Sequence, residues 1–286
     1  MDQASLEAYL ADLDLSATRF FATIDSTNEE AWRWIETGAP HFALVIADEQ
    51  TAGRGRLHRR WVTRAGCGLA FSLVLRSPPF DPQSLSRLIG LGALVFCRAL
   101  QTQYSLSAQI KWPNDILLNG RKAGGVLVEA RWDGNNLKAV VIGIGINIAP
   151  ESISPDVFPV EAQGLPATCV EDALGYPVDR MELLHSILRE FINWFPRLSS
   201  LEFIRAWEQD LAYVNQWVEL SAGNDDLTSL DRAISPNVIL GKVIGLAEDG
   251  ALRLQAKSGE LVSAQVGEIH LRLTSTQSPG NSGGNI

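Results

Sequence analysis

Between residues 108 and 148 four strand-like runs follow one another with only short polar breaks, and this stretch constrains the fold most. The runs are 108–112, 116–118, 125–130 and 139–148. The breaks include Asn119-Gly120 and Gly134-Asn135, pairs that accept the left-handed backbone of a tight hairpin turn. Upstream, element types alternate. Residues 6–13 read as a short amphipathic helix. A second helix opens at Ser26, with Glu29 three residues on as a capping box, and stops before Gly38. Segments 19–23, 42–47 and 69–75 read as strands. Leu85, Leu88, Ile89, Leu91, Leu94 and Val95 recur at helical spacing within 82–101. Alternation of this kind predicts an α/β (α+β) domain, and an apolar fraction of 46% can furnish its core.

The second half changes character. Pro150, Pro155, Pro159 and Pro166 make 150–166 an irregular loop. Its Phe158 and Leu165 could cover an aromatic ligand, or the loop could be an ordinary connection. Residues 179–195 and 201–211 carry helical patterns. Pro236 marks a boundary, after which 238–273 consists of short β-like runs broken by Glu248-Asp249-Gly250 and Lys257-Ser258-Gly259. The expected division is therefore 1–235 for a larger domain and 236–274 for a small all-β module of four or five strands. The Ser/Gly/Asn-rich tail, 275–286, is expected to be disordered.

Charge and cysteine usage exclude several function classes. A formal net charge of -9 opposes non-specific binding to nucleic acid, which needs Lys and Arg to neutralise phosphates. Cys67, Cys97 and Cys169 are too far apart for a disulfide framework or a CxxC metal site. Free thiols fit a reducing cytoplasm. No protein metal site is expected. The first residues are acidic and lack a basic-then-apolar signal layout, and no unbroken apolar run reaches membrane-spanning length.

Four segments carry chemistry. In QTAGRGRLHRRW, from Gln50, the residues Arg54, Arg56, Arg59 and Arg60 are interleaved with Gly53 and Gly55. Like charges this close repel, so the loop should resist ordering until an anion joins it. Glycine lets backbone N–H groups approach a phosphate. A solvated basic surface loop is the other reading, and the Walker A pattern is absent. In KWPNDILLNGRKAGGVLVE, from Lys111, the Asn119-Gly120 turn should bring Asp115 back within reach of Lys122. A carboxylate beside a lysine keeps it protonated and aims it at developing negative charge. The pair could equally be a structural salt bridge. GIGIN, from Gly143, puts glycines inside a strand, where they mark close approach of a ligand or another backbone. DSTN, from Asp25, contains Ser26 as a helix cap, and a helix start can also face a polar ligand.

Together these strings resemble the biotin–protein ligase family, also called holocarboxylase synthetases. STN at Ser26, QTAGRGR at Gln50, KWPNDI at Lys111, RKAGGVLVE at Arg121, GIGIN at Gly143 and GEIHLR at Gly267 occur in that order across roughly 23–273. The resemblance implies a mixed-sheet, class II synthetase-like catalytic domain followed by an SH3-like β-barrel domain. It implies activation of biotin by MgATP to biotinyl-5′-AMP, then transfer to a lysine of the biotin carboxyl carrier protein of a carboxylase. Lipoate–protein ligase and a non-catalytic biotin sensor are the alternatives. By position, Lys122 matches the central active-site lysine and Asp115 its partner. Ser26, Thr27, Asn28, Gln50, Arg54, Gly55, Arg56, Lys122, Gly125, Gly143 and Gly145 match the biotin site. Arg54, Arg56, Arg59, Trp61, Lys111, Asn114, Lys122 and Asn147 match the ATP and adenylate site. The family pattern usually has glycine where His58 stands. Only 25 residues precede Ser26, too few for the winged helix-turn-helix of many bacterial relatives. No DNA or membrane partner is therefore expected, and a homodimer is left open.

Overall fold

The computed structural model describes residues 1–56, 59–76, 85–134, 136–153, 165–222, 238–264 and 269–273. Among the described residues the α-helices are α1 (Gln3–Tyr9), α2 (Thr27–Glu36), α3 (Leu85–Tyr104), α4 (Val170–Leu174), α5 (Arg180–Trp194) and α6 (Leu201–Gln209). The strands of the first sheet are β1 (Ala17–Ile24), β2 (Ala43–Gln50), β3 (Gly68–Arg76), β4 (Ala108–Lys111), β5 (Asp115–Leu118), β6 (Arg121–Asp133) and β7 (Asn136–Asn147). Their order across the sheet is β1-β2-β3-β7-β6-β5-β4. Only β1 and β2 pair in parallel, because α2 carries the chain between them; every other pair is antiparallel. The sheet is therefore mixed, as expected.

Alternation along each strand divides the two faces. On β7, Val140, Ile142, Ile144 and Ile146 point to the side covered by α3 and α5, where they join Phe71, Leu73, Leu94 and Phe96 in the main core. On the other side, Ala139 and Val141 meet Trp32, Trp34 and Ile35 of α2, which covers only that end of the sheet. Beyond α2 the same face carries Gly143 and Gly145. Small residues there leave room that large ones fill on the opposite face.

The helix α3 is long and apolar enough, by length and composition, to cross a membrane. Here it is a core helix. Leu88, Leu91, Leu94, Val95, Phe96 and Leu100 are all fully buried.

A second sheet, ordered β11-β10-β9-β8-β12, is formed by β8 (Trp217–Ala222), β9 (Val238–Leu246), β10 (Leu252–Ala256), β11 (Leu261–Ala264) and β12 (Ile269–Leu273). Five antiparallel strands match the small module expected from the sequence. Its start differs, however. The strand β8 lies upstream of Pro236 yet pairs with both β9 and β12. Pro236 itself lies outside the described residues, and the expected border at 236 is corrected to a point before Trp217. The helix α4 was not expected, since five residues are too short to show a helical period. The tail 275–286, His58 and Phe158 lie outside the described residues.

The module docks on the larger sheet close to the Lys111–Asp115 turn. Trp112 donates its indole N–H to the Gly250 carbonyl at 3.0 Å. Ser86 and Arg87, at the start of α3, donate to the carbonyls of Asp249 and Glu248. All three contacts use carbonyls of the 248–250 turn.

Candidate active site

Two rows of residues, matched across neighbouring strands, make the floor. One row runs Ala70, Gly145, Gly125, Asp115, Lys111 through β3, β7, β6, β5 and β4. The next runs Ser72, Gly143, Leu127. Directly paired residues share a face, so three consecutive positions of the first row offer almost no side chain. A methyl group on Gly143 would overlap the Asn28 amide, and one on Gly145 would overlap the Trp61 indole. The glycines therefore admit Asn28 from α2 and Trp61 from the 50–63 loop, which lie over the floor. Gly143→Ala should cost about 1–3 kcal/mol by overpacking. Thermal unfolding of the unliganded protein checks this, and an unchanged midpoint would show that α2 gives way freely.

One wall is a hydrogen-bonded polar network. Gln50 Oε1 accepts from the Thr27 N–H at 2.8 Å and lies 3.1 Å from Thr27 Oγ1. Ser72 Oγ lies 2.8 Å from Thr27 Oγ1 and 2.6 Å from Asn28 Oδ1. Asn28 Nδ2 donates to Glu129 Oε2 at 2.8 Å. Ser26 occupies the N-cap position of α2 with extended backbone, but its side chain makes no cap hydrogen bond. The capping box expected there is not formed. Glu29 turns instead to Arg54, at 2.6 Å, and Gln50 occupies the Thr27 N–H. The buried Ser26 hydroxyl therefore makes no hydrogen bond to the first turn of α2.

Opposite stands the charged cluster. The turn Asn119-Gly120, with φ of 51° and 72°, joins β5 to β6 as the sequence requires. A bulge in β6 then places Gly125, rather than Gly124, opposite Asp115. With no side chain at Gly125, Lys122 leans across and donates from Nζ to Asp115 Oδ1 at 2.6 Å. Lys111 Nζ lies 3.9 Å from Asp115 Oδ2. Burial alone would push the Asp115 carboxyl up, but Lys122 and Lys111 together hold it below its ordinary value. Lys122 Nζ also lies 6.0 Å from the centre of the Trp61 ring.

The 50–63 loop closes the remaining side through backbone bonds, Gly55 N–H to Arg59 O at 2.7 Å and Trp61 N–H to Gly53 O at 2.8 Å. Arg56 reaches inward and donates to Asn114 Oδ1 at 2.9 Å. Asn114 is itself held by Val126, donating to its carbonyl and accepting from its N–H. Burial lowers the Arg56 pKa most, and the Asp115 charge partly restores it. Arg54 does not stand free among like charges. It pairs with Glu29 and Glu129, and Arg60 donates to the Thr51 carbonyl. The expectation that these arginines lack partners without an anion is therefore corrected, because acidic residues of α2 and β6 supply the countercharge. Arg59 is exposed and makes only backbone bonds, so it is not brought into the site. Asn147 is buried at the end of β7 and donates to the Thr168 carbonyl.

Two residues at the centre carried no role in the sequence reading. Ser72 is a hydroxyl in the otherwise apolar run LAFSLVL, and that break in hydrophobicity was its only signal. Glu129 ends the quoted RKAGGVLVE string without any cue to its partners.

This arrangement of small floor, polar wall and paired lysine has counterparts. A model of the Biotin/lipoate A/B protein ligase family matches residues 20–147. The biotin–[acetyl-CoA-carboxylase] ligase of Paracoccus denitrificans is 35% identical over 84% of this chain and 95% of its own. The chain belongs to the biotin/lipoate A/B protein ligase family. The bifunctional ligase/repressor BirA of Bacillus spizizenii is 33% identical over 82% of this chain and 68% of its own. Among solved structures, the biotin protein ligase of Aquifex aeolicus in complex with biotin and ATP superposes with a TM-score of 0.74 at 27% identity, covering 91% of this chain and all of that one. The resemblance read from the six strings is thus borne out, as are the ligase class and the mixed-sheet fold with a small β module.

Proposed function

We propose that this ligase forms biotinyl-5′-AMP from biotin and ATP and transfers the biotinyl group to a lysine of a biotin carboxyl carrier protein. One observation carries the reading: Lys122, held by Asp115, lies over Gly125 of the glycine floor, with Arg56 held by the neighbouring Asn114. Two anions must meet for adenylation, and cations in a water-poor site reverse their repulsion. A carboxylate oxygen of biotin bonds to the α-phosphorus as the bond to pyrophosphate breaks. The acceptor amine then attacks the acyl carbon, the amide forms, AMP leaves with the carboxyl oxygen, and the amine's proton passes to solvent. The pocket wall of Ser26, Thr27, Asn28 and Gln50 suits a small polar ring, and Trp61, Lys111, Asn114 and Asn147 border the nucleotide side.

Among the described residues no group of three His, Cys, Asp or Glu could hold a metal. Magnesium would therefore arrive on the nucleotide's phosphates, as it commonly does. Three free cysteines accord with a cytoplasmic setting. No DNA-binding role forms part of the proposal, in keeping with the net charge of -9.

Acid-dependent exchange of labelled pyrophosphate into ATP tests the reading. Biotin should support exchange and lipoate should not, and a carrier domain should become labelled when added. Exchange with lipoate alone would move the chain to the other branch of its family.

A further inference from the structure

Glu129 touches both the acid pocket and the loop. Its carboxylate accepts from Asn28 Nδ2 at 2.8 Å and from Trp32 Nε1 at 3.4 Å, and both its oxygens lie 2.9 Å from Arg54 Nη2. Glu129 thereby ties α2, the β6 floor and Arg54 of the loop to one carboxylate. We propose that Glu129 is a positioning residue: it sets the direction of the hydrogen-bond chain under the pocket and clips the loop to the same anchor. The kinetic part of this inference rests on the biotin reading; the loop part does not.

Proton counting shows the first role. A carboxylate only accepts, so Asn28 must turn its amide nitrogen to Glu129 and its oxygen to Ser72. Ser72 has one proton, and the 2.6 Å contact to Asn28 Oδ1 takes it. Ser72 Oγ can then only accept, at 2.8 Å, from the Thr27 hydroxyl. Gln50 Oε1 is served by the Thr27 backbone N–H at 2.8 Å and needs no hydroxyl proton. The chain Thr27 to Ser72 to Asn28 to Glu129 thus runs one way. With its proton given to Ser72, Thr27 can only accept from a ligand, for example from an N–H of biotin's cyclic urea. Without a carboxylate at 129, Asn28 can flip, the chain can reverse, and Thr27 becomes a donor.

The second role is electrostatic. Arg54 sits between Glu29 at 2.6 Å and Glu129 at 2.9 Å, so loop and floor are held by two carboxylates from different elements. Each can be removed alone. Glu29 has no contact with the Thr27–Ser72–Asn28 chain, which makes Glu29→Gln the control.

The experiment compares the parent, Glu129→Gln, Glu29→Gln and Ser72→Ala. Steady-state pyrophosphate exchange gives KM for biotin and kcat, and trypsin cleavage at the loop arginines is followed without ligand. Losing a charge-assisted hydrogen bond typically shifts such a constant about tenfold or more. Glu129→Gln should raise KM for biotin about tenfold, with kcat changed little, and should also speed loop cleavage. Glu29→Gln should speed cleavage and leave KM unchanged. Ser72→Ala should raise KM and leave cleavage unchanged. This variant also reads the chain if Glu129→Gln proves poorly folded. A Glu129→Gln enzyme with parental KM, or a Glu29→Gln enzyme with the same KM rise, overturns the chain. Parental cleavage of Glu129→Gln overturns the clip. If the parent shows no biotin-dependent exchange, the biotin reading has failed, and the cleavage comparison still decides the clip.

Discussion

Lys122→Ala is expected to slow adenylate formation on the order of 10²–10³-fold, the usual cost of one preorganised donor aimed at developing charge. Three features of the site make the group hard to replace. Its ammonium is fixed by Asp115 at 2.6 Å. That carboxylate stays ionised below the usual carboxylate range because Lys122 and Lys111 outweigh its burial. Its side chain is 24% exposed, so solvent screens the charge only in part. Water entering the gap of the alanine variant cannot supply a fixed positive charge. The fold should survive, because Lys122 is only partly buried and the β5–β6 turn depends on Asn119 and Gly120. Asp115 would lose its nearest cation and become the weaker acid, so its protonation should move up in pH. Single-turnover formation of biotinyl-5′-AMP measures the effect. A Lys122→Ala enzyme that forms adenylate at the parental rate would remove this lysine from the chemistry and leave the pair as a structural salt bridge.

The sequence made the sheet legible because its signals were local. Asn119-Gly120 sits at the tip of one observed hairpin and Gly134 follows β6 where it turns toward β7, and the glycines of GIGIN lie where Asn28 and Trp61 approach the strand. The Asp115–Lys122 contact could be anticipated from the turn, which lays the two strands side by side, although Lys122 pairs with Leu117 and reaches Asp115 across the bulge. What escaped the reading depends on long-range partners. Whether Ser26 caps its helix is decided by Gln50, which takes the Thr27 N–H from another strand. Whether Arg54 is repelled or neutralised is decided by Glu129, 75 positions away. The start of the second sheet was missed because β8 joins it from across residues 223–237, and pairing of that kind leaves no mark at the strand itself. A run of four arginines shows how much charge must be balanced, but not which acids balance it.

That distinction separates the two arginines of the GRGR string. Arg54 is engaged by two carboxylates of α2 and β6, whereas Arg56 donates to the Asn114 amide oxygen and lies close enough to feel the Asp115 charge. Its place near the Lys122–Asp115 pair suits Arg56 to meet a phosphate bound there. Its guanidinium is largely withdrawn from water, so a bound anion there is weakly screened. Arg56→Gly should therefore weaken retention of the adenylate more than its formation, which Lys122 still supports. A hydrogen bond to a charged group contributes roughly 1.5–3 kcal/mol net. Losing it should speed escape of the intermediate by about 10- to 100-fold, mainly through dissociation. Glycine at 56 also loosens the backbone beside the Arg59 N–H to Arg56 O bond that shapes the loop's return. Reactive biotinyl-5′-AMP should then reach solvent and label lysines of bystander proteins. Mixing each enzyme with biotin, ATP and an unrelated lysine-rich protein, then probing for biotin, reads this directly. Arg56→Lys separates the two contributions, since it restores charge and a side chain but not the planar fork that meets phosphate oxygens in pairs. It should leak less than Arg56→Gly and more than the parent. If Arg56→Gly forms adenylate normally yet labels bystanders no more than the parent, another residue of the loop retains the intermediate.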